Sequence, residues 1–226
     1  MIQIDAPVAY WKIGEKHIGG SRSGAVCGVN KFQSVYATVM ELRFNKKPNF
    51  TDKAIDKMWL GTFLEPGIIL KLEEKIKRQV STPEVTFVDE DYRYLIAHID
   101  GCFIDENGDQ VLVECKYSEH GFDEIPIYYK YQINHYMGIC KMKYCLLAML
   151  TGSGYFKVFR EDFDPELWEH QRKTCVEFWE RYIEGDEVPD ADGSDSSTET
   201  LKNLYPDSNE TTADACREVE DYLHEL

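Results

Sequence analysis

Two carboxylates and an ammonium group lie close together in the middle of the chain. They are Asp100, in Ala97-His98-Ile99-Asp100-Gly101, and Glu114 and Lys116, at the end of Gln110-Val111-Leu112-Val113-Glu114-Cys115-Lys116. An acidic residue, a hairpin's worth of chain, then Glu-x-Lys is what metal-dependent phosphodiester hydrolysis needs. That reaction requires a charge-neutralising cation, an activated water and a stabilised leaving oxygen. Carboxylate oxygens are the ligands Mg²⁺ takes, usually few of them, with water and substrate oxygens completing the octahedron. One or two such ions polarise the phosphate and lower the pKa of the attacking water. An ammonium can hold that water or stabilise developing negative charge. On the triplet alone, an ordinary Glu/Lys pair on a surface hairpin fits as well.

The elements around the triplet decide whether these groups meet. The run 110–116 is rich in β-branched residues and reads as a strand. Side chains alternate along a strand, so Glu114 and Lys116 share one face and Val111, Val113 and Cys115 the other. Asp105-Glu106-Asn107-Gly108-Asp109 reads as a hairpin turn through Asn-Gly. Asp100, at the end of the run 94–99, is then expected on an antiparallel partner strand near Glu114. Lys116 is expected as an exposed ammonium on the strand face, contributing little to stability.

Two helical stretches carry further candidates. Trp59-Leu60-Gly61-Thr62-Phe63-Leu64-Glu65-Pro66 opens a long helix that continues through Ile76. Glu65 precedes Pro66, where the helix is expected to bend or restart. Pro126 opens an aromatic-rich helix, Ile127-Tyr128-Tyr129-Lys130-Tyr131-Gln132-Ile133-Asn134-His135-Tyr136-Met137. Gln132 and Tyr136 share a face of it. Taken singly, Glu65 reads as a charged residue at a helix joint and Gln132 as an amide at the core edge.

Taken in order, these segments resemble a family. They are Ile18-Gly19-Gly20-Ser21, Gly61 to Pro66, Ile99-Asp100-Gly101, Val113-Glu114-Cys115-Lys116, and Ile125-Pro126-Ile127-Tyr128-Tyr129 leading to Gln132 and Tyr136. Last come Phe178-Trp179, Gly185-Asp186-Glu187-Val188-Pro189 and Asp192-Gly193-Ser194. Over about residues 11–206 the chain resembles the lambda-exonuclease, or YqaJ-like, viral recombinase family of the PD-(D/E)xK nucleases. The resemblance implies an α/β restriction-endonuclease-like core, a mixed central sheet flanked by helices. It implies Asp100 and Glu114 as direct ligands of Mg²⁺ or Mn²⁺, Glu65 as the helical carboxylate of the same site, and Lys116 as the catalytic lysine. Gln132 would orient Lys116 or the water, and Ser21 would bind a DNA phosphate. The Ser21 role has its own rationale, because a Gly-Gly-Ser turn into a helix presents backbone N–H groups to an anion.

One position departs from the family pattern. An arginine that grips the terminal 5′-phosphate is expected a few residues before the Gly-Gly-Ser segment. Here that stretch is Trp11-Lys12-Ile13-Gly14-Glu15-Lys16-His17. Lys12, Lys16 and Arg22 are the candidates to replace it, although an ammonium does not copy a bidentate guanidinium.

Composition sets the remaining bounds. A chain of 226 residues suffices for one well-cored α/β domain. We assign 1–189 to a nuclease domain and 190–226 to an acidic linker and tail, with 212–226 as a short amphipathic helix. No run of about 18 apolar residues occurs, so no membrane span is expected. No secretory signal is seen at the N-terminus, so a cytoplasmic place is expected, and the resemblance implies the bacterial host of a phage or prophage. Seven scattered cysteines without a C-x-x-C pair read as reduced thiols and argue against zinc or an iron–sulfur cluster. The net charge of −16 is concentrated late: residues 184–226 carry −12 and residues 1–183 only −4. The core is still not basic, so DNA binding is expected to be weak, metal-assisted and salt-sensitive. Of several lysine clusters, which are usually solvated faces, 46–57 is the preferred DNA-facing group. Trp168, Phe178, Trp179 and Tyr182 read as core rather than as a base-stacking platform.

The reading is a Mg²⁺- or Mn²⁺-dependent DNA exonuclease digesting one strand of double-stranded DNA ends. The resemblance adds a 5′-to-3′ direction, a role in phage-type recombination, a homo-oligomeric ring of three or four copies and a single-strand annealing partner. Two alternatives stay open. One is a nuclease of the same fold with endonucleolytic cutting or another polarity; the other is a non-catalytic acidic interaction or inhibitor protein.

Overall fold

The run 110–116 lies at the heart of a four-stranded sheet. The computed structural model describes residues 16–46 and 50–205. Helices α1 (Gly20–Val26), α2 (Val35–Phe44) and α3 (Asp52–Ile76) precede a short ribbon of β1 (Phe87–Val88) and β2 (Ile96–Ala97). Then follow β3 (Gly101–Ile104), β4 (Gln110–Ser118), α4 (Ile127–Cys140), β5 (Tyr144–Thr151), β6 (Phe156–Asp162), α5 (Pro165–Phe178) and α6 (Asp195–Leu204). The main sheet runs β3-β4-β5-β6, antiparallel except for the β4–β5 pair. Parallel neighbours need a long crossover, which α4 supplies. The α/β restriction-endonuclease-like expectation of a mixed sheet flanked by helices is met.

Strand alternation divides the core. Val111, Val113 and Cys115 pack with Ile68, Ile69 and Leu72 of α3. Leu112, on the other face, packs with Ile133, Tyr136 and Met137 of α4. Both faces of β4 are therefore covered, so Glu114 and Lys116 lie beneath α4 rather than on an open surface.

Three expectations need correction. The helix through Pro66 neither stops nor restarts: α3 is continuous over 25 residues. The run 94–99 does not carry Asp100 on a strand paired with β4; its strand portion, β2, pairs with β1. Asp100 instead immediately precedes β3, whose Gly101 pairs with Val113 of β4. The stretch 190–200, read as linker, turns helical at Asp195, with Ser194 accepting the Ser197 N–H at 3.2 Å. That helix docks on α2, where the Ser197 hydroxyl donates to Ser34 Oγ at 2.9 Å. The expected helix 212–226 lies outside the described residues.

A buried amide network fixes α1 against α4 and α5. Gln171 Nε2 donates to the Tyr131 carbonyl oxygen at 2.9 Å and to Ser23 Oγ at 3.3 Å. Its Oε1 accepts from Asn134 Nδ2 at 3.2 Å. Asp164 caps α5 by accepting the Leu167 N–H, as its place before Pro165 implies. Phe178 and Trp179 are buried, and Trp179 stacks on Tyr94 at 4.1 Å, so these aromatics are core as read. The six cysteines among the described residues are free. No helix among them is long and apolar enough to cross a membrane.

Candidate active site

Glu114 and Lys116, two apart on β4, meet as the alternation requires: Lys116 Nζ donates to Glu114 Oε1 at 2.6 Å. The same oxygen accepts from Gln132 Nε2 of α4 at 2.8 Å. Gln132 also reaches the Tyr136 hydroxyl at 3.3 Å, one helical turn on. Asp100 stands across the hairpin, its Oδ2 accepting the Cys115 backbone N–H at 2.7 Å. Beta4 runs past the start of β3, and the Asp100 side chain satisfies an N–H that the ladder leaves over. The Lys116 side chain is only 18% exposed and that of Glu114 only 2%. The expectation of an exposed lysine of little structural weight is therefore wrong, because α4 roofs this face of the sheet.

The electrostatics are those of crowded, desolvated acids. Burial, then the neighbouring Asp100 carboxylate, push Glu114 up to about 8 against the pull of Lys116. Burial raises Asp100, opposed by the Cys115 N–H and by Lys116. Burial and then Asp100 also raise Glu65. Lys116 is raised too: the Glu114 carboxylate outweighs its own desolvation, so it stays charged.

Glu65, on α3, approaches from the opposite side of the sheet. It shares with Asp100 the wall of a groove of about 520 Å³. Ser21 is exposed on α1, whose first residue, Gly20, abuts the site. A Cβ at Gly20 would fall 2.8 Å from Gln132 Cγ and 2.6 Å from the Tyr136 ring. Arg22 is committed elsewhere: its Nη2 donates to Glu41 Oε1 at 2.6 Å and its Nη1 to the His17 carbonyl oxygen. Within the cluster 46–57, Lys57 pairs with Glu119 at 3.0 Å, whereas Lys46 lines a second groove beside α2. Lys12 and Lys47 lie outside the described residues.

The donor set suits a hard divalent cation. Glu114 Oε2 is buried and has no hydrogen-bond partner, and a buried carboxylate oxygen without a donor is costly unless a cation faces it. Asp100 and Glu114 are the residues that can hold one. No three His, Cys, Asp or Glu side chains among the described residues converge into a closed cage. Glu65 is the third acid within electrostatic reach.

Residues 9–143 match the family model of the YqaJ-like viral recombinase domain. The chain belongs to that family. A YqaJ relative, the uncharacterized protein YqaJ of Bacillus subtilis (strain 168), is 26% identical over 208 residues. The match covers 88% of this chain but 63% of that relative, so the chain spans less than two thirds of its length. The fold is shared with an alkaline exonuclease (LHK-Exo) from Laribacter hongkongensis, at TM-score 0.57 and 15% identity over 74% of this chain and 87% of that one. It is shared also with a phage-related exonuclease from Haemophilus somnus 129PT, at TM-score 0.58 and 10% identity over 74% and 94%.

In this YqaJ-like chain the structure adds one neighbour that the sequence reading did not single out. Lys116 Nζ lies 4.7 Å from the centre of the Tyr129 ring, a cation–π contact that steadies the ammonium. The signal was available, since Tyr129 precedes Gln132 by three residues and so shares its helix face.

Proposed function

We propose that this chain is a metal-dependent deoxyribonuclease that digests one strand of duplex DNA from its ends. The observation that carries the reading is the pairing of Lys116 with Glu114 within electrostatic reach of Asp100, with the second Glu114 oxygen buried and without a donor. A divalent cation held by Asp100 and Glu114, Mg²⁺ or Mn²⁺, would supply phosphate polarisation and a water of lowered pKa. Lys116, held charged by Glu114 and Tyr129, stabilises negative charge as it develops on the phosphate rather than acting as a base. Gln132 steers the Glu114 carboxylate from α4, and Ser21, beside Gly20, offers its hydroxyl to a DNA phosphate. The exonuclease names of two fold relatives, one of them also known in complex with dAMP, support digestion from an end. The family adds the 5′-to-3′ direction, a ring of three or four copies, a single-strand annealing partner and a place in phage-type recombination.

One observation favours an endonuclease as second reading. Arg22, the arginine nearest Ser21, is paired with Glu41 rather than offered to a terminal phosphate. The deciding experiment compares initial rates on linear duplexes with 5′-phosphate and 5′-hydroxyl ends and on closed circles. It is run at fixed salt, because salt alone changes affinity steeply, and with Mg²⁺, Mn²⁺ or EDTA. End digestion with a modest 5′-phosphate preference is the expected result. Equal rates on both ends with ready cutting of circles would establish the endonuclease, and no cutting under any condition would leave the acidic interaction protein.

A further inference from the structure

We propose that Lys31, Phe32 and Tyr128 form a stacking site for unpaired DNA beside the catalytic lysine, which rests on the nuclease reading for its place along the substrate strand. Phe32 is 66% exposed, a large ring that contributes little to folding by burial. The turn nevertheless holds it in place: its N–H donates to Asn30 Oδ1 at 2.9 Å. Its ring meets Tyr128 edge to face at 5.5 Å. Lys31 Nζ lies over both rings, 4.9 Å from Phe32 and 5.6 Å from Tyr128.

The strip is continuous with the reaction centre. Tyr128 contacts Tyr129 at 4.5 Å, and Tyr129 lies 4.7 Å from Lys116 Nζ. On its other side Phe32 opens into a groove of about 870 Å³, whose lining includes Asn30, Gln33, Lys46 and a second exposed ring, Phe50. Of the acids there, Glu41 is already neutralised by Arg22, and Glu199 stands on α6. Exposed rings interleaved with ammonium and amide groups match single-stranded DNA. Its bases present free π-faces, which a duplex covers, while its phosphates pair with the cations. A protein partner would call for a more continuous apolar face.

The test measures binding of a fluorescein-labelled single-stranded oligothymidylate to the wild-type protein by anisotropy, in EDTA so that nothing is cut, over a salt series. Phe32→Ala should weaken binding by roughly 5- to 150-fold, the loss of one stacked base, without changing the slope of log K against log salt. Phe32→Trp should retain it. Lys31→Gln should make that slope shallower by about 0.7, one phosphate contact on a single strand. Both positions are exposed, and equal melting temperatures establish folding; were Phe32→Ala to unfold, the Lys31→Gln slope decides alone. Unchanged affinity in folded Phe32→Ala, an unchanged slope in Lys31→Gln, or no binding by the wild type overturns the site. A wild type that binds as described but never cuts DNA overturns the nuclease reading and leaves the site standing. One that cuts DNA while Phe32→Ala binds normally overturns the site alone.

Discussion

Removing the Lys116 ammonium should damage the apo fold in a pH-dependent way, apart from its effect on cleavage. Lys116 is the charged donor to Glu114, whose carboxylate is 2% exposed and already lacks a donor at Oε2. In Lys116→Ala only the neutral Gln132 amide remains on Oε1. Glu114 stands at about 8 in the fold against an ordinary 4.5. A raised carboxyl binds more protons folded than unfolded, so stability is highest below 4.5 and falls as pH rises toward 8. Without the ammonium the folded value rises further, and the fall continues past pH 8. At pH 6 both proteins hold Glu114 protonated, and the variant loses about one hydrogen bond, ~0.5–1.5 kcal/mol, partly offset because no ammonium is buried. Between pH 8 and pH 9 the wild type gives up the Glu114 proton and forms the ion pair, while the variant, its folded value higher still, keeps the proton and goes on losing stability. Urea unfolding in EDTA at pH 6 and pH 9 should therefore show the loss growing by up to about 1.4 kcal/mol, the worth of one pH unit of differential protonation. Glu114→Gln combined with Lys116→Ala should abolish the growth. Equal losses at pH 6 and pH 9, or a double variant as unstable at pH 9 as the single one, would refute the buried-pair argument.

Asp100→Asn and Glu114→Gln should each weaken Mn²⁺ binding by more than the roughly 10–100-fold that loss of an outer supporting contact costs; calorimetric titration with unchanged affinity in both variants would sink the shared site. His135 is fully buried with Nε2 on the Ile96 carbonyl oxygen at 3.0 Å, and burial lowers it to about 4. The unfolded chain takes up that proton first, so stability should fall by roughly 3 kcal/mol as pH drops from 6.5 to 4. His135→Gln should flatten this difference in urea melts, and an unchanged pH slope would count against it. Gly20→Ala would place a methyl 2.6 Å from the Tyr136 ring and 2.8 Å from Gln132 Cγ. It should destabilise by about 1–3 kcal/mol through overpacking and lower cleavage by displacing Gln132; activity equal to wild type would show that α1 does not position the site.

The pieces of the site that depend on local period were legible in the sequence. Strand alternation put Glu114 and Lys116 on one face, the Asn-Gly turn returned Asp100 to the same end of the hairpin, and the helix repeat aligned Gln132 with Tyr136. These signals need only neighbours along the chain.

What the sequence left open depended on which surfaces cover one another. Nothing local says that α4 crosses over β4, and so Lys116 read as exposed when it is buried against Glu114 and Tyr129. Pro66 read as a point of bending or restart because local sterics disfavour it. Yet α3 runs through it, with Ile68, Ile69 and Leu72 buried against β4 on the following turns. Arg22 read as available for a phosphate until the fold brought Glu41, 19 residues away, to 2.6 Å. The sequence by itself determined which groups can do the chemistry and which share a face. The tertiary structure alone decided which are desolvated and paired, because burial and ion pairing arise from segments far apart in the chain, and these set the charge a carboxylate or an ammonium carries.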